Sequence, residues 1–481
     1  MNNNTNISEL FFYGPPDFLL HHFDLEAEAD SKMSAAKSDP KGMLAIQSTA
    51  SLASLSIYAG IMLFHCMGLR ATLAYAGLVL PHHVNGTSAL LHLSVEESTW
   101  FAAITPIAST IGSLVSGPLT EPLGLKRLLM ISNLSASIGS LAIFFAPSFP
   151  VLILSRLFQC IGIGLGATTA IVYTNEMSTI KTRGPIVGGC LTSMVVATLG
   201  YTALCIILPI QWLSLVLVGH HALIFLLQLL LPNTPQWLVR KSREDEAYQS
   251  LKKLRGQKYE GIDAEVEEIK QVIEARASLA QTSTVNALKD RTFKMPLAIL
   301  CCIFVIEACA GQETFLYYGP TIFSKIDIGL PSSFLATIPW FGLAIGFASS
   351  SLVMARFEIQ RKRKNIKVFN RMPRVGQFVG FTSAVAVGMF TLGAMLLLLS
   401  KGSGDPTVEA IVLVASLILA NVAMALGAGS VPYTLMGELL PPEYKALGGC
   451  VVMTARFVYF NTCDHSQYQQ YCMTNCKIGN C

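Results

Sequence analysis

The chain has 481 residues, of which 52% are hydrophobic and only 13% charged, with a mean hydropathy of +0.51. Soluble domains carry about 25% charged residues. An ordinary soluble globular protein is therefore excluded, and the many apolar runs of about 20 residues indicate a polytopic, all-α membrane protein. The net charge of +4 decides little, because the placement of charges matters more than their sum.

Residues 1–48 are polar and read as a cytosolic tail. Their apolar patch FFYGPPDFLL is short and has no basic region or cleavage-like site beside it, so no signal peptide is expected. Span 1 lies near 50–78 and holds His65 and Arg70. A loop near 81–98 contains the sequon Asn85-Gly86-Thr87. Span 2 runs about 99–119, and the tight loop GPLTEPLGLKR leads to span 3 at about 128–146. Spans 4, 5 and 6 fall near 151–173, 186–208 and 211–231, completing an N-terminal six-span half at 49–231.

A polar insert, 232–295, divides the chain. Ala247, Leu251 and Leu254 recur at helical spacing, as do Val266, Ile269 and Ile273. That pattern predicts short amphipathic helices lying under the membrane and no separate globular domain. Spans 7 to 10 follow near 296–318, 332–355, 377–400 and 408–436, with a basic loop between 8 and 9. An eleventh apolar run starts after Lys445 and fades at about Phe460. Its roughly 15 residues fall short of the roughly 20 that a spanning helix needs. The C-terminal half, 296–460, thus reads as incomplete, and 461–481 as a polar, Cys-rich tail with no twelfth span. The spacing of Cys463, Cys472, Cys476 and Cys481 fits no zinc pattern, and no metal or cofactor is expected.

Lys and Arg set the orientation. With the N-terminus inside, the cytosolic segments hold 28 of them and the external loops 2, Lys325 and Lys401. This asymmetry puts the N-terminus in the cytosol and Asn85 outside, where a sequon is glycosylated. Two basic residues lie within spans. Arg70 costs about 2.5–3.5 kcal/mol at a membrane centre, so it needs a partner, a wet cavity or a snorkelling path. Arg156 in span 4 has the same alternatives. A lone intramembrane His such as His65 is more often packed or hydrogen-bonded than a ligand.

One charged device occurs twice. Glu176 is followed seven residues later by Arg183, then Gly184; far downstream, Glu438 is followed seven residues later by Lys445. Duplicated halves are how many transporters are built. Loop 2–3 carries Glu121, Lys126 and Arg127, and loop 8–9 carries Arg361 and Arg363. All these charges stand at cytosolic helix ends, where a network of pairs makes a latch between two states of similar energy.

Several of these stretches together resemble the sugar porter family of the major facilitator superfamily, including insect glucose and trehalose facilitators. SVEESTWFAAI is similar to that family's start of span 2, and Gly117 to Arg127 to its loop 2–3 signature, with Glu121 for Asp and Leu125 for Arg. Glu176, Arg183 and Gly184 match its E-x6-R-G. PNTPQWL at 232–238 is similar to PESPRWL, and Pro432, Glu438, Pro441 and Lys445 to the span 10 signature, with Lys for Arg. The resemblance covers roughly 94–450 and implies a two-half helical bundle that moves a sugar by alternating access at the plasma membrane.

The implied binding site departs from the family. In IEACAGQETFLYYGPTIF, Glu307 and Ala308 stand for two Gln of the family's span 7, and Glu313 for an Asn. Leu191 stands for a sugar-contacting Gln, and Tyr433 for a Trp common in span 10. Sugars are held by amides and an aromatic face, so the scaffold is better supported than the sugar. Arg70, Glu307 and Glu313 keep an organic-ion carrier as an alternative, and the shortened end keeps a non-transporting membrane protein as another. The partners expected are a small-molecule solute and the lipid bilayer, with no nucleic acid; no nucleotide-binding loop or nucleophile arrangement argues for an enzyme.

Overall fold

A computed structural model describes residues 52–85, 91–257, 261–277, 291–309, 337–350, 372–401, 406–429, 431–440 and 447–459. Among these residues the secondary structure is all helical. Glu313, Arg361, Arg363, Lys445 and the tails at 1–48 and 461–481 lie outside them.

Six helices fill the first part: α1 (Leu52–Asn85), α2 (Val95–Leu123), α3 (Leu125–Phe144), α4 (Phe149–Met177), α5 (Ile180–Ile207) and, after a 3-10 turn, α6 (Leu213–Gln228). The insert forms α7 (Pro235–Arg240), α8 (Glu244–Arg255) and α9 (Ile262–Ala277). Later come α10 (Arg291–Ala308), α11 (337–350), α12 (Met372–Lys401), α13 (Pro406–Ala423), α14 (Val431–Leu439) and α15 (Leu447–Tyr459). Seven stretches among the described residues are long and apolar enough to cross a membrane: Leu55–Leu80, Glu96–Leu123, Leu125–Phe144, Phe149–Met177, Thr182–Ile207, Ile210–Gln228 and Val414–Tyr433. Phe378–Thr391 and Leu447–Tyr459 are shorter apolar helices.

Helix boundaries follow local chemistry. Ser94 and Glu97 form a reciprocal capping box that starts α2, each side chain bonding the other's backbone N–H at 2.9 and 3.2 Å. Loop 2–3 is much shorter than the sequence predicts. α2 continues through Pro118 and Pro122 to Leu123, and Gly124 alone separates it from α3. Gly124 takes φ 79° and ψ 155°, a conformation that L residues with side chains avoid. Loop 1–2 is shorter too, because α1 continues five residues past its apolar stretch to Asn85. Span 10 is not one continuous helix: α13 passes into a π-helical turn, Met424–Ala428, before α14 begins. Gly427 lies within this turn and Gly429 just after it, where regular helix is weakly favoured, and such π-bulges recur at functional sites.

Within the first bundle, α4 packs on α2 and α3, and α1 packs on α5. Gly164 permits the closest approach, since a Cβ there would collide with the Ser109 carbonyl of α2. The insert is fastened to this bundle. Leu254 of α8 joins Leu125, Leu129, Tyr173, Met177 and Leu231 in one apolar cluster. The buried Arg255 donates to Met177 O at 2.8 Å and to Glu265 of α9 at 2.7 Å, so one guanidinium caps α4 and ties α8 to α9.

Candidate functional site

Many polar side chains inside the first bundle bond one another. Arg156 is fully buried and donates to Gln159 Oε1 at 2.5 Å, Thr105 Oγ1 at 3.3 Å and Thr72 O at 3.1 Å. The rings of Tyr75 and Phe101 face its guanidinium. It does not snorkel to the surface; it braces α1, α2 and α4. His65 accepts from Asn133 Nδ2 at 2.9 Å, and the same amide nitrogen reaches Gln228 Oε1 at 3.0 Å. His221 bonds Asn133 Oδ1 and Thr72 Oγ1, each at 2.9 Å. This network joins α1, α3 and α6, and it holds Asn133 fully buried although that residue starts a sequon.

The charged end of the bundle is organised by the insert. Trp237 lies against Gly124, where a Cβ would come within 3.0 Å of the indole, and its Nε1–H donates to Glu121 O at 3.0 Å. Glu121 pairs with Lys241 at 3.0 Å and Arg240 at 3.5 Å, and Arg240 also reaches Glu176 at 4.0 Å. Arg183 donates to Asn175 O at 3.2 Å, at the C-terminal end of α4. Lys126 donates to Leu229 O at 2.8 Å, just past α6. Glu121 of loop 2–3 and Glu176 of the duplicated device therefore find cations from α7 and the residue after it, which motif reading did not offer as partners. Among the described residues Arg127 makes no side-chain hydrogen bond or ion pair. Glu438 lies on α14, but its side chain, like Lys445 and loop 8–9, is outside the described residues.

The two sets of membrane helices meet through side chains. Arg70 of α1 is buried, with its guanidinium 5.2 Å from the ring centroid of Trp340 on α11. A cation on an indole face is worth about 2 kcal/mol or more when desolvated. Leu191 and Val195 of α5 share an apolar cluster with Ala74, Trp340, Leu343, Phe347, Val385 and Met424. Tyr433 borders this cluster and a second one, where Phe304, Met436 and Met453 meet Ala167 and Ile171 of α4. The Phe304 and Tyr433 rings stand edge to face, 5.1 Å apart at 84°. Pro118 has no N–H for the Leu114 carbonyl of α2, and the Cys450 thiol of α15 reaches that oxygen at 3.4 Å. Leu191 and Tyr433 thus lie where the two helix sets meet, as does Arg70.

Glu307 does not pair with Arg70. It takes a bidentate bond from Arg456 of α15, at 2.7 Å to Oε2 and 3.1 Å to Oε1. Sequence reading left Arg456 unassigned, although an isolated arginine in the apolar run VVMTARFVYF must find a counter-charge.

The profile of the sugar (and other) transporter family matches residues 79–462. A sugar transporter ERD6-like 6 of Arabidopsis thaliana is 28% identical over 377 residues, 77% of this chain and 73% of that one. Solute carrier family 2, facilitated glucose transporter member 6 of Mus musculus is 26% identical, with 79% and 76% covered. The facilitated trehalose transporter Tret1 of Polypedilum vanderplanki is 25% identical, with 84% and 76% covered. Among solved structures, the xylose transporter XylE from E. coli, in a partially occluded inward-open conformation, aligns with TM-score 0.64 at 16% identity over 86% of this chain and 92% of that one. Its likeness shows the major facilitator fold, and the profile, which spans most of the chain, shows that the chain belongs to the sugar (and other) transporter family.

Proposed function

We propose that this protein carries a small polar solute, a sugar in the first place, across a membrane by alternating access. The halves at 49–231 and 296–460 rock about the seam described above, with the insert at 232–295 travelling with the first. The observation that carries this reading is the seam itself. α1, α4 and α5 touch α11, α14 and their neighbours through aromatic, aliphatic and guanidinium contacts that part without breaking a helix. Leu191, Tyr433, Arg70, Glu307 and Glu313 line the solute path in this account. Glu121, Lys126, Arg127, Glu176, Arg183, Arg361, Arg363, Glu438 and Lys445 form the inside latch, with Arg240 and Lys241 added to it by their pairs with Glu121. The 28-to-2 asymmetry of basic residues supports a cytosolic N-terminus and insert, with Asn85 outside at the plasma membrane. The protein acts as a carrier and not an enzyme. Uptake of labelled monosaccharides, disaccharides and carboxylates by cells with measured surface protein tests the reading. Saturable sugar uptake supports it, whereas carboxylate uptake alone, or no uptake at normal surface level, contradicts it.

A further inference from the structure

We propose that the cytosolic foot of α3 and α6, together with Lys253 of the insert, binds the headgroup of an anionic phospholipid of the inner leaflet. The proposal rests on the topology above, which puts this end of the bundle inside, and not on the solute carried. Exposed residues of α3 recur at helical spacing: Arg127, Ile131, Leu134, Ile138 and Leu141. All but the first are apolar, and the cation stands at the cytosolic end. α6 packs beside α3 and exposes Leu223, Leu226 and Leu230 in the same way. Ser137 of α3 donates to Val218 O at 3.4 Å and Lys126 to Leu229 O at 2.8 Å, so the two helices are joined at two levels. Their exposed residues make one apolar wall facing the lipid.

Cations gather at the foot of that wall. Lys126 sits on a carbonyl just past α6, and Arg127 follows it, exposed and without a side-chain partner among the described residues. Lys253 of α8 is exposed as well and is an electrostatic neighbour of Lys126. Its place is fixed by the next residue, because Leu254 packs with Leu125, Leu129 and Leu231. Acids of the same end are committed elsewhere: Glu121 and Glu176 to Arg240 and Lys241, and Glu265 to Arg255. Three like charges thus share one edge, and among the described residues none of them pairs with an acid. A phospholipid matches both parts, with acyl chains on the wall and phosphate at the foot. A zwitterionic headgroup brings an ammonium that these cations repel, whereas a net anionic headgroup does not. Each Lys or Arg near an anionic membrane surface favours binding by about fivefold, so three together give about 100-fold. A headgroup held between Lys126 of α3 and Lys253 of α8 also fastens the insert to the bundle, in addition to the Arg255 clasp.

Purified, delipidated full-length protein in a non-ionic detergent is titrated with dioleoyl phosphatidylglycerol or dioleoyl phosphatidylcholine, and retained lipid is read by native mass spectrometry. Wild type is expected to hold the anionic lipid at least about 10-fold more tightly than the zwitterionic one. Arg127→Gln and Lys253→Gln should each lower that affinity about fivefold, and together about 25-fold. Lys270→Gln removes a cation that already pairs with Glu244 at 2.8 Å, and it should leave lipid binding unchanged. Wild type that retains the two lipids equally overturns the proposal, and needs no variant to fold. So do Arg127 and Lys253 variants that bind as wild type does, or a Lys270 variant that loses as much as they do. Displacement of the lipid by an equal concentration of inorganic phosphate shows that the acyl wall contributes nothing and overturns a lipid as the occupant. None of these readings depends on transport, so failure of the carrier account leaves them unchanged.

Discussion

Alanine at position 124 disturbs the joint between α2 and α3 in two separable ways. Gly124 has φ 79° and ψ 155°. A side-chain-bearing residue held in such a glycine-only region costs about 1–3 kcal/mol. The new Cβ would also stand 3.0–3.2 Å from atoms of the Trp237 ring. Overpacking of this kind costs about 1–3 kcal/mol more. The indole cannot retreat without giving up its bond to Glu121 O. The sum, about 2–6 kcal/mol, should appear as a large loss of thermal stability in purified protein. A double-mutant cycle separates the parts. Trp237→Ala alone removes a buried aromatic and costs about 3–5 kcal/mol. In the double variant the collision is gone, so Gly124→Ala retains only its backbone cost, and the cycle should show about 1–3 kcal/mol of coupling. A Gly124→Ala protein that melts with wild type refutes the backbone argument. Strict additivity with Trp237→Ala refutes the contact.

Three further outcomes follow from other contacts. Arg240→Gln should cost under about 1 kcal/mol, because the pairs with Glu121 and Glu176 are partly exposed; it should nevertheless raise labelling of cysteines placed at the insert-facing helix ends, and unchanged labelling removes Arg240 from the latch. Trp340→Ala strips the indole from the buried Arg70 and empties part of the seam, a loss of about 3–5 kcal/mol by melting, while Trp340→Phe should recover much of it; equal losses in the two variants contradict the cation–π contact. Asn85→Gln should abolish the glycosidase-sensitive mobility shift of protein from eukaryotic cells, and a shift lost only on changing Asn3 or Asn6 overturns the topology.

What the sequence made legible was set by the range of each interaction. Apolar periodicity is local, so the six helices through Gln228 and the amphipathic α8, with Ala247, Leu251 and Leu254 buried, were readable from spacing alone. Loop 2–3 was placed over Gly117 to Arg127, whereas α2 runs on through Pro118 and Pro122, which a membrane helix accommodates; Cys450 even takes up the carbonyl that Pro118 frees. Partner choice was the least legible part. Glu121 and Glu176 pair with Arg240 over 119 and 64 positions of sequence, and Glu307 with Arg456 over 149. A motif fixes which residue bears charge, but only the packed helices fix which counter-charge arrives. Arg156 illustrates the same point: its guanidinium satisfies itself on Gln159, three residues on, and on carbonyl and hydroxyl groups from two other helices.

The central claim is that the chain carries a small polar solute by alternating access, and counterflow tests it most directly. Purified protein in proteoliposomes loaded with a high concentration of unlabelled sugar is diluted into a trace of the same labelled sugar. A carrier that reorients with solute bound predicts a transient overshoot of label inside, above the level in protein-free vesicles, for at least one of D-glucose, D-xylose and trehalose. Label that only approaches equilibrium at the rate of protein-free vesicles, for every sugar and with correctly inserted protein, would contradict the account.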